Sequence, residues 1–318
     1  MNFFDTNNGG SLAIPYTPST SNICILLAIF TTLLLLRYIS RLIRQYNLPS
    51  GRWGNLGASD IALVTGGSNG LGFELVKELL EKQVVVYVLD RQAPREKDVN
   101  MHYIPCDLQN EDALEKTMEK LILDLEESGR YLSVLINNAG IRDNKSLVNT
   151  SFVDVKKVFT VNTLSQVMIL QKVLDKHLKN NKHGKLSIVT ISSILGVFAP
   201  RNLSTYSASK AAQIMLHDSL QQELKQYPLI RLLLVTPGQM DTELFKDVKP
   251  TKQLVAPVVK HVELAKTIID KVDIGYMGCL AEPFYANFLP GVRTAPMFVQ
   301  DFCRWISEMD EKVKETQH

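Results

Sequence analysis

Two rhythms of apolar residues run along the chain. One is a set of short, mostly apolar stretches: Ile61 to Val64, Val84 to Leu89, His102 to Ile104, Leu132 to Ile136, Lys185 to Ile191 and Arg231 to Val235. The other has the three-to-four-residue spacing of amphipathic helices, from about Gly70 to Gln83 and over 111 to 127. Strands apolar on both faces and separated by helices predict a parallel sheet covered on both sides, a doubly wound α/β fold. Ligands of such folds bind beyond the carboxyl ends of the strands.

The ends of the chain break this alternation. Residues 1–20 are polar and read as a leader. Ser21 to Leu36 is an uncharged run of 16 residues, close to the ~20 that cross a bilayer, and Tyr38 and Ile39 extend it if Arg37 snorkels. A signal peptide carries its basic residues before the apolar run, whereas Arg37, Arg41, Arg44 and Arg52 follow it. The expectation is a membrane anchor over 21–40, single-pass or monotopic, with everything after Arg37 in the cytosol. A basic linker over 41–57 leads to one catalytic domain over 58–275. The remainder, 276–318, mixes aromatics with prolines and ends in an amphipathic run. It reads as a lid, a second membrane contact or extra cover for the sheet edge.

Charge is nearly balanced, Lys+Arg 35 against Asp+Glu 33 among 318 residues, which argues against nucleic acid as a partner. Cys24, Cys106, Cys279 and Cys303 show no metal-ligand spacing, so no metal site is expected.

The candidate chemistry lies where the fold places ligands. The first strand runs into Thr65 and the loop Gly66, Gly67, Ser68, Asn69, Gly70, Leu71, Gly72. Its glycines allow a tight turn and close approach to a pyrophosphate, and the helix that follows offers its first amides to that charge. Asp90 ends the second strand about 20 residues on, where a carboxylate binds ribose hydroxyls and repels a 2′-phosphate. That favours NAD. Arg91 can instead hold such a phosphate, so NADP stays possible. Asp107 can bind an adenine amino group or cap the next helix. Tyr206 and Lys210 stand four apart on a helix face, and the ammonium is expected to lower the phenol's pKa for proton exchange with a substrate oxygen. Ser193, 13 residues before Tyr206, can hold that oxygen.

With Thr65 to Gly72, Asp107, Asn137-Asn138-Ala139-Gly140, Asn162, Ser193, Tyr206, Lys210 and Pro237-Gly238 in order, the chain resembles the short-chain dehydrogenase/reductase family over 58 to about 245. The resemblance implies a Rossmann-like fold and hydride transfer between a nicotinamide dinucleotide and an alcohol or ketone. It implies that Asn138, Ala139 and Gly140 border the cofactor ribose, that Asn162 holds a water linking Lys210 to solvent, and that Lys210 bonds the nicotinamide ribose. Pro237, Gly238 and Thr242 would border the nicotinamide. Homodimers through helices near 152–180 and 205–227 are also implied.

Membrane-bound members of the family that act on lipids carry similar anchors. A lipophilic substrate is therefore expected (sterol, retinoid, fatty alcohol or ketolipid), on a membrane of the endoplasmic reticulum or lipid-droplet type. Two competing readings are a non-catalytic dinucleotide-binding membrane scaffold or sensor, and an enzyme of non-redox isomerisation. An intact Tyr206 and Lys210 weigh against the first.

Overall fold

A computed structural model describes residues 28, 31, 32, 35 and 39, then 53–246, 248 and 256–313. The chain divides into two units, Met1–Asn47 and Leu48–His318. In the first, Ala28, Thr31, Thr32, Leu35 and Ile39 are helical, and the two threonine hydroxyls donate to the Ala28 carbonyl at 3.0 and 2.8 Å. The leader, most of the expected 21–40 anchor and most of the linker lie outside the described residues. Among the described residues no helix is long and apolar enough to cross a membrane.

In the second unit the predicted alternation becomes one seven-stranded sheet, ordered β3-β2-β1-β4-β5-β6-β7 with every pairing parallel. The strands are β1 (Ile61–Thr65), β2 (Val85–Asp90), β3 (Met101–Pro105), β4 (Val134–Asn137), β5 (Leu186–Ile191), β6 (Ile230–Pro237) and β7 (Gly278–Glu282). The connecting helices are α1 (Gly70–Glu81), α2 (Glu111–Glu127), α3 (Phe152–Phe159), α4 (Ser165–Asn180), α5 (Ser204–Glu223) and α6 (His261–Asp273). After β7 come α7 (Leu289–Thr294), α8 (Met297–Ser307) and the short α9 (Met309–Lys312). β1 and β4 adjoin although two strands separate them in sequence, and this reversal of strand order opens a ligand crevice at their carboxyl ends.

Alternate strand residues feed two cores, because successive side chains leave a strand on opposite faces. Ile61, Leu63, Leu135, Ile188 and Leu232 pack with α2 and α4 residues such as Leu114, Met118 and Ile169. Ala62, Val64, Ile136, Val189 and Leu233 pack with Leu75 and Leu79 of α1 and Ile268 and Ile269 of α6. β7 corrects the boundary drawn at residue 275: the tail begins as the edge strand of the sheet. Its sequence, Gly-Cys-Leu-Ala-Glu, lacks the β-branched and aromatic residues that mark a strand, and pairing with β6 overrides that weak propensity.

The entry to the domain is fastened at Trp53. Its ring lies 4.2 Å from the buried Arg231 guanidinium, and its indole N–H donates to the Val272 carbonyl at 3.2 Å. The Leu56 amide donates to the Asp273 carboxylate, and Lys185 pairs with buried Asp60 at 3.0 Å.

Candidate active site

The glycine-rich turn is built by close approach. A methyl at Gly72 would lie 2.0 Å from the Gly66 carbonyl oxygen and 2.4 Å from Asn138 Nδ2, so only glycine fits there. Gly66 itself has φ +65°, a left-handed conformation that glycine adopts without strain. Asn138 braces the turn by donating to the Thr65 and Gly66 carbonyls at 3.1 and 3.0 Å, while Thr65 Oγ1 accepts from the Asn138 and Ala139 amides. Asn69 precedes α1 with extended backbone and no side-chain cap, which leaves the helix's first amides for an anion.

Asp90 ties the second strand to this turn. Its carboxylate accepts from the Ser68 amide and from the Gln92 amide, each at 3.1 Å. Ser68 Oγ donates to the Gln92 carbonyl at 2.5 Å, and Asn69 reaches the Gln92 side chain. Leu71 is buried in the core behind the turn. Arg91 is exposed beyond it. Asp107 is exposed as well, and its carboxylate accepts from the Gln109 amide. The cap of α2 is Asn110, which accepts from the Ala113 amide at 3.0 Å, so the capping reading of Asp107 is set aside.

Across the crevice, Thr242 sits against Gly70, its Cγ2 3.4 Å from where a Gly70 side chain would begin, with a buried Oγ1 that finds no protein partner. Gly238 is hemmed in by Pro283 and Tyr285 and donates its amide to the Glu282 carbonyl at 2.6 Å, so the turn after Pro237 leans on the tail. Unsatisfied donors at the α1 amides, an orphaned Thr242 hydroxyl and a floor of glycines together fit a dinucleotide.

The four predicted catalytic side chains come together. Ser193 follows β5, its hydroxyl accepting from the Leu195 amide at 3.1 Å and close enough to the Tyr206 phenol to favour its ionised form. Lys210 Nζ lies 5.8 Å from the Tyr206 ring centre and donates to the Ile191 carbonyl at 2.9 Å. Lys210 Nζ and Asn162 Oδ1 both border Gly140, at 3.4 and 3.5 Å from the position a side chain would take there. Asn162 sits in a π-helical turn, Thr160–Leu164, an irregularity that often marks functional sites. Its side chain bonds the Ile141 amide and carbonyl and the Ser209 hydroxyl, and its carbonyl accepts from Gln213 at 2.5 Å.

The electrostatics differ from the expectation that Lys210 lowers the phenol. Burial dominates both groups. It pushes Tyr206 up to about 12, opposed by the Ser193 hydrogen bond and the Arg142 charge, and it pulls Lys210 down to about 7.

Several residues around the phenol carry no sequence signal. Phe245 meets the Tyr206 ring edge-on at 5.9 Å, and Arg142 lies 4.6 Å above Phe245 while donating to the Leu244 carbonyl and the Asn144 side chain. Leu195, Leu203, Val248 and Val313 complete an apolar wall with Phe245 around Tyr206. Asn202 holds the tail in place by donating to the Val313 carbonyl at 2.9 Å.

The comparisons agree with this architecture. An uncharacterised oxidoreductase of Saccharomyces cerevisiae, TDA5, is 34% identical over 257 residues, spanning 79% of this chain and 76% of that protein. A mouse protein, dehydrogenase/reductase SDR family member 7, is 32% identical over 201 residues, 59% of this chain and 57% of its own. A short chain dehydrogenase from Burkholderia cenocepacia, solved in complex with NADP, superposes with a TM-score of 0.64 at 21% identity, covering 79% of this chain and 98% of that one. At that identity the likeness shows the fold. Residues 60–253 match the short chain dehydrogenase family, and the chain belongs to it: an NAD(P)-dependent dehydrogenase or reductase.

Proposed function

We propose that the enzyme moves a hydride between NAD, in preference to NADP, and a lipophilic alcohol or ketone. The observation that carries this reading is the apolar wall of Leu195, Leu203, Phe245, Val248 and Val313 packed with the buried Tyr206. A substrate that reaches that hydroxyl gives up its water against hydrocarbon, which favours a lipid over a sugar or an acid.

When bound, the dinucleotide supplies the hydride chemistry. The α1 amides and the Gly66–Gly72 turn would hold its pyrophosphate, Asp90 its adenosine ribose, Asp107 its adenine, and Thr242 its carboxamide. Ser193 would orient the substrate oxygen. Tyr206, which keeps its proton through neutral pH, would donate it to a carbonyl oxygen. Lys210 and Asn162, meeting at Gly140, would restore that proton. Asp90 supports NAD because its carboxylate repels a 2′-phosphate, while the exposed Arg91 is the group able to counter it.

An anchor over 21–40 with a cytosolic catalytic domain suits a lipid substrate. Exposed Phe152, Val153, Leu164 and Met215 on the segments around α3 to α5 support a face for a second copy of the chain.

Two measurements test the proposal. Tyr206→Phe should keep cofactor affinity by calorimetry and lose about 10²–10⁴-fold in kcat, the usual worth of a general acid; wild-type turnover in that variant would overturn the mechanism. Titration with NADH and NADPH should show tighter NADH binding, and Asp90→Ala should narrow the gap. Tighter NADPH binding would assign the selection to Arg91.

A further inference from the structure

We infer that the outer face of α8 is a lipid-contact surface that rests on the acyl layer of a membrane, beside the loop that packs against Tyr206. This deepens the reading of a lipophilic substrate by naming where that substrate comes from, and it rests on the arrangement of one helix.

A helix on a protein surface normally turns its apolar stripe inward and its polar residues to water. On α8 the large side chains do the reverse. Met297, Phe298, Phe302 and Trp305 are 77%, 74%, 56% and 72% exposed. Phe298, Phe302 and Trp305 follow one another at helical spacing along one side, with the Phe302 and Trp305 rings 5.9 Å apart. The opposite side carries Gln300, bonded to the turn just before the helix, and Arg304, bonded to the loop after β5. Gln300 donates to the Arg293 and Ala295 carbonyls, and Arg304 donates to the Ala199 carbonyl at 2.9 Å and pairs with Asp310. Half-buried Val299, Cys303 and Ile306 lie inward, and the aromatic residues face outward.

Water is a poor solvent for such a face, and a second copy of the chain fits it badly. Eleven residues make a helix about 16 Å long, and one face about 10 Å wide presents on the order of 160 Å², against about 800 Å² per partner in a stable interface. A bilayer interface needs no such area. It takes an amphipathic helix lying flat, with phenylalanine in the acyl boundary and tryptophan at the headgroups. Phe284, 74% exposed in the turn before α7, adds another aromatic group of the same tail.

The position links this face to catalysis. Arg304, on the inner side of α8, lies 4.4 Å from the Phe198 ring and holds the Ala199 carbonyl. Asp310 accepts from the Arg201 amide, and Val313 reaches the wall around Tyr206. The helix that would rest on the lipid thus grips the loop that closes over the reactive phenol.

The native tryptophans make the test direct, because the chain has only two. Trp53 is buried and Trp305 is exposed. The full chain is reconstituted into phosphatidylcholine vesicles with or without bromine on the acyl chains, and Trp305→Phe identifies the signal. Trp305 emission should shift to the blue and lose roughly half its intensity to bromines about 5–10 Å below the headgroups, the depth an interfacial helix reaches. Flotation with the vesicles but no quenching of Trp305 would overturn the inference and leave the N-terminal anchor standing. Failure to float would overturn it too. So would shielding of Trp305 from acrylamide that grows with protein concentration in the absence of lipid, which would assign the face to a second copy. No substrate enters the measurement, so a failed search for a lipid substrate and a failed surface are told apart.

Discussion

The two sides of the crevice are made of different materials. The dinucleotide side, from Gly66 to Gly72 with Asn138 behind it, is shaped by backbone, and its fit depends on the absence of side chains. The substrate side is shaped by side chains drawn from four separate segments: Leu195 and Leu203 from one loop, Phe245 and Val248 from another, Tyr206 from α5 and Val313 from the end of the tail. A backbone-built site tolerates almost no change. A side-chain-built site can be repacked, and its volume can change without loss of the fold.

The sharpest way to break this contrast is Gly72→Ala. The added methyl meets the Gly66 carbonyl and the Asn138 amide, neither of which can retreat without undoing the turn. Destabilisation of about 1–3 kcal/mol or more and loss of measurable dinucleotide binding are expected, checked by denaturant unfolding and calorimetry. A variant that binds cofactor normally would show the turn to be softer than its contacts imply.

The next effect comes from Lys210, which joins the two sides. Its pKa falls from 10.5 in the unfolded chain to about 7 in the native one. Between those values the unfolded chain holds a proton that the native chain has released, so stability from this group rises with pH, by on the order of 1 kcal/mol per pH unit. Tyr206 acts with the opposite sign above 10, where its unfolded form ionises and its native form does not until about 12. Lys210→Met should therefore flatten the rise in unfolding midpoint between pH 7 and 10. An unchanged slope would place that titration elsewhere.

The smallest effect probes the substrate side. Phe245→Ala enlarges the wall and frees Arg142 from its ring, at a cost of about 1–2 kcal/mol for a half-buried aromatic. KM for long or bulky substrates should change several-fold while NADH affinity stays within a factor of two, on the order expected for one apolar contact. An equal loss for all substrates and for cofactor would mean that Phe245 supports the fold and selects nothing.

The same division explains what could be read from the chain. Strands such as Ile61 to Val64 announce themselves because both faces are buried, and the glycine turn because its chemistry is local in sequence. Ser193, Tyr206 and Lys210 are legible through helical spacing and the strand end before them. Phe245, Arg142 and Val313 are not, since their meeting depends on how two loops and the tail fold back, which no periodicity records. The raised Tyr206 escapes the sequence for a related reason: spacing shows that two groups are neighbours, and only burial shows which form each prefers. β7 is hidden because Gly-Cys-Leu-Ala-Glu, with no β-branched or aromatic residue, becomes a strand only through the partner that β6 offers.

Trp53 sets where the enzyme can be shortened. A form that begins at Leu48 keeps the indole over Arg231; one that begins after Trp53 strips the cover from a guanidinium deep in the sheet. The loss of a desolvated cation–π contact and of the indole's cover costs on the order of 2 kcal/mol, a sizeable share of a domain's stability. Five residues of linker would then decide whether the catalytic unit can be handled alone.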